Sequence, residues 1–215
     1  MDRAQALTLT STGTTTLGGV IGGTTALSSL TASGGTTQLA GNITTNNGAI
    51  SIGALTLTGI ATLNAGSGNI TLNTVDGAQV MTLTSTGSIG LTGTIGDTTA
   101  LTSLTANGNT TLSNDIGINV STDITLNGNT TLSGTHAFEL ASSTLTLGGD
   151  VTGGATLNVN TTNNAAATVL FKGAATINLT TGSGDDTVQF AKTDAAHTFT
   201  GTLDAGAGSN SSDKE

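Results

Sequence analysis

Residues 81–111 read MTLTSTGSIGLTGTIGDTTALTSLTANGNTT and restate residues 7–37, LTLTSTGTTTLGGVIGGTTALSSLTASGGTT, at a constant offset that sets Met81 on Leu7 and Thr111 on Thr37, without a gap and with about two-thirds of the positions identical. A shorter echo lies at the end of this stretch. Asn107-Gly108-Asn109-Thr110-Thr111-Leu112-Ser113 returns as Asn127-Gly128-Asn129-Thr130-Thr131-Leu132-Ser133. Self-similarity at a period of about 20 to 30 residues marks an array of stacked units that share one continuous core.

Within the units, apolar and polar residues alternate over short runs such as Leu7-Thr8-Leu9-Thr10, Leu55-Thr56-Leu57-Thr58, Met81-Thr82-Leu83-Thr84 and Leu145-Thr146-Leu147. Period two is the pattern of a half-buried strand, and no stretch sustains the 3.6-residue period of a helix. Gly-rich and Asn-rich punctuation, for example Gly22-Gly23, Asn47-Gly48, Gly66-Ser67-Gly68 and Gly153-Gly154, separates the runs and marks turns. Thr makes up roughly a quarter of the chain, so β-branched residues favour strands throughout, while Gly and Asn supply corners.

Short strands between regular turns fit a sandwich, a barrel or a solenoid, and the repeat decides among them. Sandwiches and propellers need longer spacings and aromatic anchors, but aromatics are 2% of this chain and Trp and Tyr are absent. The expected fold is all-β: a right-handed parallel β-helix, or β-solenoid, of roughly nine to ten three-sided coils, each about 20 to 25 residues long and stacked at about 4.8 Å. On this reading the offset of the long repeat spans three or four coils, and residues 6–204 form one array, with a linker at 1–5 and a flexible tail at 205–215. A lone coil buries too little apolar surface to offset the ordering of its backbone, so stability has to come from stacking.

Charge narrows the partners. The net charge is −9, only four residues are Lys or Arg, and residues 4–75 carry no charged side chain. That leaves no basic patch for a nucleic-acid backbone or an anionic membrane surface, and no apolar run is long enough to span a bilayer. With no Cys, there is no disulfide framework to expect. Met1-Asp2-Arg3-Ala4-Gln5 lacks the charged and apolar regions of a secretory signal, which reads as a segment cut from a longer chain. Open coil ends without Pro or charge to blunt them are expected to meet an adjoining segment or another copy.

The segments Thr24-Thr25-Ala26-Leu27-Ser28-Ser29-Leu30-Thr31 and Ile95-Gly96-Asp97-Thr98-Thr99-Ala100-Leu101-Thr102-Ser103-Leu104-Thr105 resemble the repeats of giant bacterial surface proteins, the filamentous-haemagglutinin-like and β-strand-repeat adhesins. The likeness covers most of residues 6–180. It implies a non-enzymatic structural stalk, extracellular or on the bacterial cell surface. The secretion signal and adhesive tip usual in that family are not visible here.

Two features carry candidate chemistry. Gly182-Ser183-Gly184-Asp185-Asp186-Thr187-Val188 fits the core of a calcium-binding nonapeptide repeat, with an imperfect second copy around Asp204, Gly206 and Asn210. Gly182, Gly184, Asp185, Asp186, Asp204 and Asn210 are therefore candidate Ca²⁺ ligands of a calcium-stabilised secreted module, against the plain reading of an acidic corner. The pairs Thr8/Thr10, Thr56/Thr58, Thr82/Thr84, Thr92/Thr94 and Thr144/Thr146 each place two hydroxyl-methyl groups on one strand face, an ice-binding or crystalline-surface array if successive pairs coincide. The plain alternative is that Thr is the outward residue that lets an uncharged strand pair strongly and stay soluble.

Finally, His136 and His197 lack ligand partners at metal spacing and read as surface or turn residues. Glu139 reads as outward and solvated. No carboxylate pair suits hydrolysis, because Asp185 and Asp186 are adjacent and face opposite ways on an extended chain.

Overall fold

The computed structural model describes residues 4–191, 198–206 and 211–214. They form strands joined by turns, and no described residue is helical. Every strand pairing is parallel. The chain winds as a β-solenoid with three ladders running its length.

Each ladder is defined by the residues it turns inward. On the first face the column runs Leu7, Leu30, Ile50, Ile70, Ile89, Thr110, Thr130, Val151, Ala175 and Phe199, which is nine turns of the solenoid. Successive rungs at about 4.8 Å make a column about 45 Å long. On the second face Leu55, Val75, Ile95, Ile118, Phe138 and Val159 stack in order. On the third, Ile43, Leu63, Leu83, Ala106, Leu126, Leu147, Phe171 and Phe190 do the same. Apolar side chains on these columns are almost wholly buried, apart from those near the two ends. The alternation seen in the sequence therefore has a direct cause: one side of every strand lines a single aliphatic core, and the other faces solvent.

Several strands bend through a corner and continue on the next face. Ser29–Leu39, Ile50–Leu57 and Ile70–Asp76 join the first face to the second, whereas Val80–Leu91 and Ser103–Ser113 join the third to the first. The ladder shifts register at two of these bends, between Ala32 and Thr36 and between Thr84 and Ser88.

The long repeat occupies a different face in each copy. Leu7 pairs with Leu30 on the first face, but its counterpart Met81 pairs with Ala61 and Leu104 on the third. Ile21 bridges Ile43 on the third face, whereas Ile95 bridges Val75 and Ile118 on the second. The offset of the long repeat thus equals three coils and two-thirds, between the three and four expected, and the second copy is turned by one face. By contrast, the shorter echo falls in register, with Thr110 on Thr130, Thr111 on Thr131 and Leu112 on Leu132.

Coil length is not constant. The first-face steps from Leu30 to Ile50, Ile70 and Ile89 are short and nearly equal, whereas the chain takes a longer path from Val151 to its partner Ala175. Aromatic rings fill the broader end: Phe171 stacks on Phe190 with centroids 5.4 Å apart, and Phe199 meets both edge-on at 5.8 Å. Backbone pairing also reaches past residues 6–204 at both ends. Ser28 N donates to the carbonyl of Gln5, and Ser211–Lys214 pairs with Thr187–Phe190.

Candidate functional site

The acidic turn lies between the strands Asn178–Thr181 and Thr187–Phe190. Gly182 and Gly184 are set against the backbone of residues 160 and 164–166 in the coil before. The two carboxylates part company here. Asp186 is buried and its Oδ1 accepts from Ala167 N at 2.8 Å, whereas Asp185 is exposed and lines a shallow cleft with Ser142, Ser143, Thr144, Ala167 and Thr168. Asp204 lies on the second face one coil further on, exposed, with Oδ1 accepting from Gly206 N at 3.1 Å. Asn210 lies outside the described residues. Among the described residues no three His, Cys, Asp or Glu side chains converge. What Asp186 does here is tie one coil to its neighbour.

That role recurs along the molecule, and sequence reasoning missed it. At one corner Asn109 Oδ1 accepts from Asn129 N at 3.1 Å, Asn129 Oδ1 from Asp150 N at 3.0 Å, and Asp150 Oδ1 from Ala174 N at 2.9 Å. Elsewhere Asn42 takes Thr62 N, Asn47 takes Ser67 N, Asp115 takes Thr135 N and Asp123 takes Thr144 N, all at 2.6–2.9 Å. Short Asx side chains satisfy backbone donors at the corners, where the turning chain breaks the strand ladder. The signal was present as Asn or Asp recurring one coil apart.

Glu139 does point outward, but it is more than a solvated charge: its two carboxylate oxygens accept from Thr162 N at 3.1 Å and Asn163 N at 3.0 Å, holding the turn of the wide coil. His136 corrects the sequence reading outright. It is fully buried at an inward position of Thr135–Leu140, because alternation puts it in phase with Phe138 and Leu140. Burial drives its imidazole below the usual range, and the nearby Asp115 carboxylate opposes that shift. His197 lies outside the described residues.

The Thr pairs do not coincide. Thr8/Thr10 begin on the first face, Thr56 sits on the second, and Thr82/Thr84 and Thr144/Thr146 lie on the third. Thr82 and Thr146 share one column through Thr105 and Thr125, but their partners fall on opposite sides of it. A different array appears instead. The outward column of the first face is Thr8, Thr31, Ser51, Thr71, Gly90, Thr111, Thr131, Thr152, Thr176 and Thr200, a single file along the whole column. Beside it stand Thr10, Gly53, Asn73, Thr92, Ser113 and Ser133, so the file is one Thr wide over most of its length.

No family model matches the chain, and neither a curated protein nor a solved structure matches it.

Proposed function

We propose that the chain is a structural repeat segment of a large extracellular bacterial adhesin or surface fibre, a stiff non-enzymatic spacer that joins neighbouring segments or copies end to end. The observation that carries this reading is the continuity of the three ladders through nine turns, reinforced at the corners by side-chain staples. Each coil adds about 4.8 Å of length for about 20 residues and contacts only its neighbours, which suits a chain that must set a distance. Electron microscopy of the purified chain tests it: single rods about 45 Å long, or fibres built from them, support the spacer. Globular or irregular particles overturn it.

The single Thr file favours a second reading, a binder of ice or another crystalline surface. Hydroxyl and methyl groups recur there at the strand spacing of about 4.8 Å, broken at Ser51 and Gly90. Measurable thermal hysteresis, lost when Thr71, Thr111 and Thr131 are replaced by Lys, would favour this reading over the spacer.

A further inference from the structure

The core between the sixth and eighth coils carries buried polar side chains on two of its faces. On the first face, where neighbouring coils place Ile50, Ile70 and Ile89, this part places Thr110 and then Thr130, both buried. Among the described residues the Thr130 hydroxyl has no hydrogen-bond partner, and neither has Nδ1 or Nε2 of His136. His136 is stacked beneath Leu157 and next to Ala137, whose N–H donates to Ile116 O at 3.0 Å. The pairing is also short here. Thr130–Ser133 matches four residues of the preceding coil but only two of the following one, Val151 and Thr152.

We infer that His136 is an acid-sensitive seam: the array is closed through the seventh coil while the imidazole is neutral, and this coil opens when the imidazole takes up a proton. A cation at this position would have two N–H donors and no acceptor, in a core that water does not reach. The groups able to compensate it are few. The strands paired with its own, Gly117–Val120 and Thr156–Val159, carry no titratable side chain, and neither do Thr130–Ser133 and Thr144–Leu147 on the other two faces of its coil. Glu139, on its own strand, faces outward and is engaged by Thr162 and Asn163. Among the described residues Asp115 is the one carboxylate that acts on the imidazole, and its Oδ1 already accepts from Thr135 N at 2.6 Å.

The sign follows from linkage. The opened coil exposes an ordinary imidazole, which binds a proton below about pH 6.5, whereas the closed coil resists protonation until a lower pH. Closure is therefore complete above that value. As the pH falls, the opening equilibrium rises up to tenfold per unit, and it levels off once the closed coil itself protonates.

Amide hydrogen exchange from pH 7.5 to 5.0, expressed as protection relative to the intrinsic rate at each pH, tests this. Protection in Gly117–Val120, Thr135–Leu140 and Thr156–Val159 is expected to fall up to tenfold per unit below 6.5, while Ile50–Leu57 and Ile70–Asp76 stay constant. In His136→Leu the fall disappears. A pH-independent profile in the native chain, or an unchanged slope in His136→Leu, overturns the inference. Ring-proton NMR of His136, assigned against His197→Asn, gives a readout without any change to the core: titration at or above 6.5 overturns the inference as well.

Discussion

Gly34 lies against the carbonyl oxygen of Ser11 in the preceding coil, where an added Cβ would come within 2.6 Å, and in the second copy of the long repeat Gly108 stands in the same relation to Ser85. The two contacts sit on different corners of the solenoid, because the second copy is turned by one face. One local sequence therefore makes the same bend at two of the three corners. Local turn chemistry sets the corner, and the stacking of coils sets its position.

Gly108→Ala should accordingly destabilise the array by about 1–3 kcal/mol, since backbone on both sides must move to admit the methyl group. Gly90→Ala is the control. Its nearest atom would be Ile70 O at 3.8 Å, so its effect should stay within about 0.5 kcal/mol. Urea denaturation of both variants, followed by circular dichroism, measures the difference.

The corner staples make a second prediction. Asn129→Ala removes the acceptor for Asp150 N, and the loss should be at most about 1 kcal/mol for an exposed bond. Asn129→Asp keeps an acceptor in place and should lie closer to the native chain. Hydrogen exchange at Asp150 separates a local loss of protection from a general one.

Buried threonines on one column should behave differently. Thr130→Val replaces a hydroxyl that has no partner with a methyl of similar shape, and should stabilise by about 1 kcal/mol. Thr110 lies one coil below, but its Oγ1 donates to Gly108 O at 3.3 Å, so Thr110→Val should give no gain. Thermal unfolding of the two variants in parallel checks the contrast.

Much of the fold was legible because strand alternation and coil spacing are both written as residue patterns. Leu112 and Leu132, at matching places in the short echo, announce the coil length and stack as expected. The phase of the longer repeat was not legible, since nothing in residues 7–37 states that the offset is a fractional number of coils. The repeat also reaches further back than that stretch. Asp76-Gly77-Ala78-Gln79 restates Asp2-Arg3-Ala4-Gln5 at the same offset, and Thr102 N donates to Gln79 O as Ser28 N does to Gln5 O. His136 is misread when residue type is weighed above phase, although Phe138 and Leu140 already fix which side of the strand it occupies. The partner of Asp186 was not legible for a related reason: a motif names a side chain but not the donor it reaches, and here Ala167 N donates to it.

Calcium follows from that last point. Asp186 is engaged within the core wall and Asp185 is exposed, so the pair does not present a shared set of oxygens. The melting midpoint should be the same with millimolar Ca²⁺ and with chelator. A rise on adding Ca²⁺, abolished in Asp185→Asn, would identify the acidic turn as a metal site.

Because the echo is in register, the array should tolerate loss of one whole coil. Deleting residues 110–129 joins Asn109 to Thr130, a junction identical in sequence to both Asn109-Thr110 and Asn129-Thr130. Every column survives the deletion: Ile89 meets Thr130 on the first face, Ile95 meets Phe138 on the second and Ala106 meets Leu147 on the third. A cut of half that length shifts everything after it to another face and strands apolar side chains outside. The whole-coil deletion should therefore keep the native circular dichroism and cooperative unfolding in a rod about 5 Å shorter, while deleting residues 110–119 should not fold. Small-angle scattering of the first variant checks the length. Loss of structure in both would mean that individual coils are not interchangeable and that the stack is held by contacts special to each.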